Sequence, residues 1–85
     1  MSRTPYRDAI RLALVRRKAA TGEARTTRER ARLPQQAVAD AIGVDVSTVH
    51  RWEAGERQPT GPQALAYLDL LEELDRMGAG DAASA

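Results

Sequence analysis

The sequence predicts an all-α fold, a compact bundle of four to five helices, on three observations. Apolar residues recur three and four positions apart in several separate runs. Each run is bounded by helix-starting residues on one side and by glycine on the other. No stretch alternates apolar and polar residues as a half-buried strand does. Eighty-five residues with no cysteine make one small domain, because so short a chain buries only roughly 60% of its unfolded surface and has no room for a second core.

The first helix is expected over residues 5 to 20. Thr4 and Pro5 supply an N-cap and a first-turn proline, Tyr6, Ile10, Ala13 and Leu14 recur at helical spacing, and Gly22 ends the run. A second short helix fits residues 34 to 42, with Val38, Ala39 and Ile42 on its apolar face, Leu33 stapled onto Val38, and Gly43 as its stop. The third fits residues 46 to 54, between Asp45 as N-cap and Gly55. The fourth begins at a capping-box pattern, Thr60 and Gln63, with Pro62 in its first turn, and runs through LAYLDLLEELDRM to Gly78. The domain therefore spans residues 1–77, with 78–85 as a disordered tail too poor in apolar side chains to bury.

A formal charge of +1 conceals a strong asymmetry. Residues 1 to 32 hold nine Arg and one Lys against three acids, a net of +7, whereas residues 33 to 58 carry −2 and residues 59 to 85 carry −4. A basic segment beside a near-neutral body is the electrostatic footprint of a nucleic-acid binder. Other classes find little support. One histidine and no cysteine leave no metal site, and no cofactor is expected. No glycine-rich phosphate loop occurs, and Ser47 with His50 lacks an orienting acid and a pocket, so the chain is not expected to be an enzyme. The arginines of MSRTPYRDAIRLALV interrupt any signal-peptide core or membrane span, which makes the cytoplasm, beside the nucleoid, the expected location.

The stretch VDVSTVHRWEAGERQP holds the single tryptophan and the single histidine. At helical spacing Val49 and Trp52 share one face, while Ser47, His50, Arg51 and Ala54 share the opposite one. A helix of about two and a half turns is unstable alone, so the large ring must anchor it and hold the polar face in a fixed attitude. The preceding short helix, the corner Gly43-Val44-Asp45 and the small Ala39 at the crossing give the helix-turn-helix arrangement, whose second helix enters the DNA major groove.

LPQQAVADAIGVDVSTVHRWEAGERQP also resembles the lambda-repressor-like (XRE/Cro-type) helix-turn-helix family. The likeness is dense over residues 33 to 59 and loose over 5 to 77, with Gln35, Ala39, Gly43, Val49, Trp52, Glu53 and Gly55 all at the family's spacing. It implies a lambda-repressor-like bundle in which Val46, Ser47 and Arg51, with His50 beside them, reach base edges. Arg51 is the strongest of these, since a guanidinium pairs bidentately with guanine. Gln35 stands where the family's glutamine meets a phosphate, Arg57 resembles the basic loop residue on the backbone, and Thr48 adds a hydroxyl contact. Glu53 resembles the structural acid that pairs with the first helix, for which Arg17 and Lys18 are the candidates here.

Two departures stand out. Pro34 replaces the usual Ser or Thr, so the second helix loses its side-chain cap. EARTTRERAR, residues 23–32, is a basic insertion in which Thr26 and Glu29 can cap a short helical turn, with three open readings: a mobile solvated loop; a DNA arm, with Arg28, Arg30 and Arg32 on phosphates or in a narrow minor groove; or a counter-charge to the acidic last helix. The apolar arc of that last helix looks wider than its own core requires, which points to a homodimer on a twofold operator. The expected function is a sequence-specific double-stranded DNA-binding regulator, a small Cro or phage-repressor type of bacterial or phage origin. The alternative is an antitoxin that holds its promoter and a toxin with the same fold.

Overall fold

The computed structural model describes residues 5–84, with side chains through Gly78. Thr4, expected to cap the first helix, lies outside them. Five helices follow one another: α1 (Pro5–Thr21), α2 (Glu23–Arg30), α3 (Gln35–Ile42), α4 (Val46–Glu53) and α5 (Gly61–Ser84). The chain is thus all-α, and three of the four expected helices start and end within a residue or two of their sequence signals. The exception is α5, which does not stop at Gly78 but continues helical to Ser84, through residues expected to be disordered.

The element least expected is α2. Its sequence EARTTRER has no apolar stripe, and only Ala24 and Thr27 are buried. Gly22, at φ +87°, does not release the chain into a loop; it turns α1 directly into α2 through a left-handed conformation that suits glycine. What holds α2 is tertiary contact. Its small face lets it approach α1 and α5, and the Thr27 hydroxyl donates to Asp75 of α5 at 3.1 Å.

One core joins all five helices. Val15 of α1, Ala24 of α2, Val38 and Ala39 of α3, Val49 and Trp52 of α4, and Ala64, Tyr67, Leu68 and Leu71 of α5 form a single buried cluster. Leu33 packs against its edge, as expected of a staple residue. The apolar arc of α5 is consumed inside the monomer: Leu68 and Leu71 are fully buried, Leu74 nearly so, and Leu65 and Leu70 are half-buried. Little of the spare leucine surface expected there remains, at Leu65 and Leu70. Large exposed apolar side chains lie instead at Val46, at Met77 and along α1 at Tyr6, Ile10 and Leu14, so the recurrence that placed α1 faces solvent while Val15 and Ala19 are its buried residues.

Charge is neutralised within helices, by Arg25 with Glu29 and Arg76 with Glu73, and between them. Arg11 of α1 pairs with Asp69 and Glu72 of α5, and Lys18 pairs with Glu23 at 2.7 Å and with Asp75 at 3.8 Å. Most counter-charge for α5 therefore comes from α1 and not from the arginines of residues 23–32. The Arg16 guanidinium donates to the carbonyl of buried Pro59 at 2.9 Å, which ties the segment after α4 to α1.

Candidate nucleic-acid interface

The corner between α3 and α4 is built by one carbonyl. Ala39 O accepts from Gly43 N–H at 2.9 Å and from Val44 N–H at 3.0 Å, and Gly43 takes φ +80°, so the chain leaves α3 and reverses at once. Ala39 itself is fully buried, which confirms that a small residue stands where the two helices meet. Asp45 occupies the N-cap position of α4 with extended backbone, and its carbonyl accepts from Thr48 and Val49, but its side chain makes no capping bond. Pro34 likewise caps α3 by backbone geometry alone, as its lack of a hydroxyl predicts. At α5 neither Thr60 nor Gln63 forms a capping-box bond; that helix starts at Gly61 with φ +70°.

Two opposite faces of α4 have opposite fates. Val49 and Trp52 are buried, and the Trp52 ring sits 4.9 Å from that of Tyr67, tilted by 32°. The indole is therefore the anchor that the sequence requires. Val46, Ser47, His50 and Arg51 all face solvent, and Thr48 is half-buried. Their side chains enter no hydrogen bond or ion pair; the Arg51 guanidinium in particular pairs with neither the Asp45 nor the Glu56 carboxylate. A helix held from behind thus offers a methyl-bearing side chain, a hydroxyl, an imidazole and a guanidinium on one free face.

The acid at the end of α4 carries the principal polar network of the described residues. The Glu53 side chain is 4% exposed, and its carboxylate accepts from Arg28 Nε at 2.6 Å, from Arg28 Nη2 at 3.0 Å and from Gln35 Nε2 at 2.9 Å. The remaining terminal nitrogen of Arg28 donates to Leu33 O at 2.8 Å. Burial pushes the carboxyl up, but the hydrogen bonds from Arg28 and Gln35 outweigh it and hold Glu53 below the usual carboxylate range. The same carboxylate hydrogen bond, against the opposing effect of burial, raises Arg28 above its ordinary value.

This network corrects two expectations. The partner of Glu53 is Arg28 of α2, not Arg17 or Lys18 of α1: Arg17 is exposed and unpaired, and Lys18 faces Glu23 and Asp75. Arg28 is consequently turned inward and is not an arginine available to phosphate. One N–H of the Gln35 side-chain amide is also taken by Glu53, which leaves its second N–H and the backbone amides at the start of α3 as donors. Arg30, Arg32 and Arg57 are exposed and unpaired, as a phosphate contact requires. The sequence signal for the network was the arginine spacing within residues 25 to 32, which is unreadable until that segment is known to be helical.

A short tight corner, a small residue at the crossing, and a second helix with a buried aromatic back and a polar front define a helix-turn-helix domain, a DNA-binding fold. Residues 9–77 match the family described as a helix-turn-helix domain, and the chain belongs to that family. It is also similar to the type II methyltransferase M.SsoII of Shigella sonnei, 42% identical over 46 residues that make up 51% of this chain and 12% of that protein. The chain thus corresponds to a small part of that relative. No solved structure matches it. Among the described residues no helix is long and apolar enough to cross a membrane.

Proposed function

We propose that the chain is a sequence-specific double-stranded DNA-binding transcriptional regulator, a small repressor of Cro or phage-repressor type that reads the major groove with α4 as a homodimer. The observation that carries this reading is the free face of α4. Four side chains with distinct base-reading chemistry stand unpaired on a helix whose other face is fixed by Trp52, Val49 and the Glu53 network. Arg51 pairs with guanine N7 and O6, Val46 packs against a thymine methyl, and Ser47 and His50 supply further donors and acceptors. Arg30, Arg32, Arg57, Thr48 and the amides at the start of α3 hold phosphates, which set register and not sequence. In this reading the chain works on the nucleoid of a bacterium or in a phage-infected cell, and performs no catalysis of its own.

The homodimer in this reading rests on the small size of one module. One module reads a few base pairs, and two related by a twofold axis read half-sites about 34 Å apart with useful affinity. The leucine face of the last helix, which could serve a toxin or a second copy alike, lies largely inside the core and favours neither partner. The match to M.SsoII covers 12% of that protein, so methyl transfer forms no part of the proposal.

The test is selection of bound sites from random duplex DNA by the purified protein at near-physiological salt. An enriched inverted repeat with centres one helical turn apart supports specific readout by a dimer. Salt-sensitive binding to every duplex, with no enrichment, would sink the reading.

A further inference from the structure

Helices α2 and α4 end in the same hydrogen-bonded closure. After α4, Gly55 N–H donates to Trp52 O at 3.2 Å and Glu56 N–H to Arg51 O at 2.9 Å, and Gly55 has φ +77°. After α2, Arg32 N–H donates to Glu29 O at 3.0 Å and Leu33 N–H to Arg28 O at 3.2 Å, and Arg32 has φ +58°. Both are Schellman closures, which need a left-handed residue just past the helix and take glycine there by preference. Every other left-handed position among the described residues is a glycine: Gly22, Gly43, Gly55 and Gly61. Arg32 is the exception, and a side chain in this region crowds its own backbone.

The strain has no return within the fold. The Arg32 guanidinium makes no ion pair or hydrogen bond and the residue is exposed, whereas Arg25 and Arg28 of the same segment are engaged by Glu29 and Glu53. Helix α2 is only eight residues long and has almost no apolar face, so a destabilised closure falls on the element least able to absorb it. The turn itself is rigidly related to α4, because Arg28 bridges the Leu33 carbonyl and the Glu53 carboxylate. A cation on that turn has a fixed place relative to whatever α4 docks against.

We infer that the left-handed strain at Arg32 is kept for an intermolecular contact, an ionic hold on a DNA phosphate. The inference rests on the DNA-binding reading and adds a distinct claim: the domain gives up stability at this position in exchange for affinity. Phosphate is the target because Arg32 stands on a turn outside α4, the helix that reads base edges, and contacts from outside that helix fall on the backbone.

The two effects have opposite signs in one variant. Arg32→Gly should raise the melting temperature by about 4 °C or more, as relief of left-handed strain in a domain of this size does. The same variant should lose on the order of tenfold affinity for the selected site and for scrambled duplex alike, with the salt slope reduced by about 0.9. Arg32→Asn, which tolerates the left-handed region but is neutral, should lose the same affinity, and Arg32→Lys should keep most of it. If the parent protein binds duplex DNA while Arg32→Gly retains both its affinity and its salt slope, this inference fails and the DNA-binding reading stands. An unchanged or lower melting temperature for Arg32→Gly overturns it as well, by removing the strain. A parent protein that binds no duplex at all overturns the DNA-binding reading and this inference together.

Discussion

Burial alone would keep the Glu53 carboxyl protonated more readily than a solvated one; two donors reverse that, and the reversal makes the residue a source of acid sensitivity. Its folded-state value lies below its unfolded one, so its contribution is complete above about pH 5 and is lost as the pH falls through the folded value. Glu53→Gln should therefore be less stable than the parent at pH 7 and show a weaker loss of stability between about pH 5 and pH 3, read by urea titration at each pH. Removing the partner is worse, because a buried carboxylate is then left unpaired: Arg28→Ala should cost about 3 kcal/mol, enough to lower the melting temperature by more than about 10 °C. Tyr67 presents the opposite case. Its hydroxyl is buried with no hydrogen-bond partner, and its ring stacks on Trp52. Tyr67→Phe keeps the ring and removes an unsatisfied group, and should stabilise the domain by about 1 kcal/mol in chemical denaturation. On the reading face, Arg51→Ala should leave stability within about 0.5 kcal/mol of the parent. It should cost about 1–3 kcal/mol of discrimination at one base pair per half-site, measured by competition with single-site operator variants.

Helices with an apolar stripe were legible and the one without was not. The recurrences of Val38, Ala39 and Ile42, and of Val49 and Trp52, place α3 and α4 because burial selects those spacings whatever the partner. Helix α2 offers no such pattern: six of its eight residues are polar or charged and exposed or half-exposed, and its place is set by Thr27 on Asp75 and Arg28 on Glu53, contacts 48 and 25 residues away along the chain. Long-range polar pairing leaves no local period, so the segment reads equally as a loop, an arm or a counter-charge. Residue roles followed the same division. The exposure of Val46, Ser47, His50 and Arg51 was readable from periodicity, while the inward turn of Arg28 and the engagement of Gln35 needed the position of Glu53 in space. The extension of α5 past Gly78 was also hidden, because glycine lowers helix propensity without forbidding the helix. An element-level consequence is that α2 can loosen from α5 without opening the α3–α4 corner. Thr27→Val removes the bond to Asp75 but keeps the volume, and should loosen α2 with faster amide exchange at its backbone, while exchange in α3 and α4 changes less.

At the scale of the molecule, stability is bracketed by two buried titrations of opposite sense. Acid removes the Glu53 contribution. Alkali acts on Tyr67, whose phenol burial pushes well above its ordinary range; its contribution is complete below about pH 10 and is lost as the pH rises toward the folded value. Melting temperature against pH should show a plateau between these limits. The charge plan of the whole chain has a similar economy. Of the +7 carried by residues 1 to 32, much is spent on acids of α2, α4 and α5, and the cations left unpaired include Arg17, Arg30 and Arg32. The net charge of a segment therefore overstates how many phosphates it can hold, and the salt dependence of DNA binding should correspond to a few contacts per protomer rather than to the full basic segment.

The position of Trp52 makes the protein its own reporter. The single indole of the chain is sealed against Tyr67 behind α4, with the reading face on the other side of the helix. Its emission should stay at short wavelength when a duplex docks in front of it, and move to long wavelength only when the core opens. One spectrum recorded during a DNA titration then sorts any variant: a side chain that contacts DNA changes the binding curve and leaves the emission maximum alone, whereas one that supports the fold shifts the light before any DNA is added.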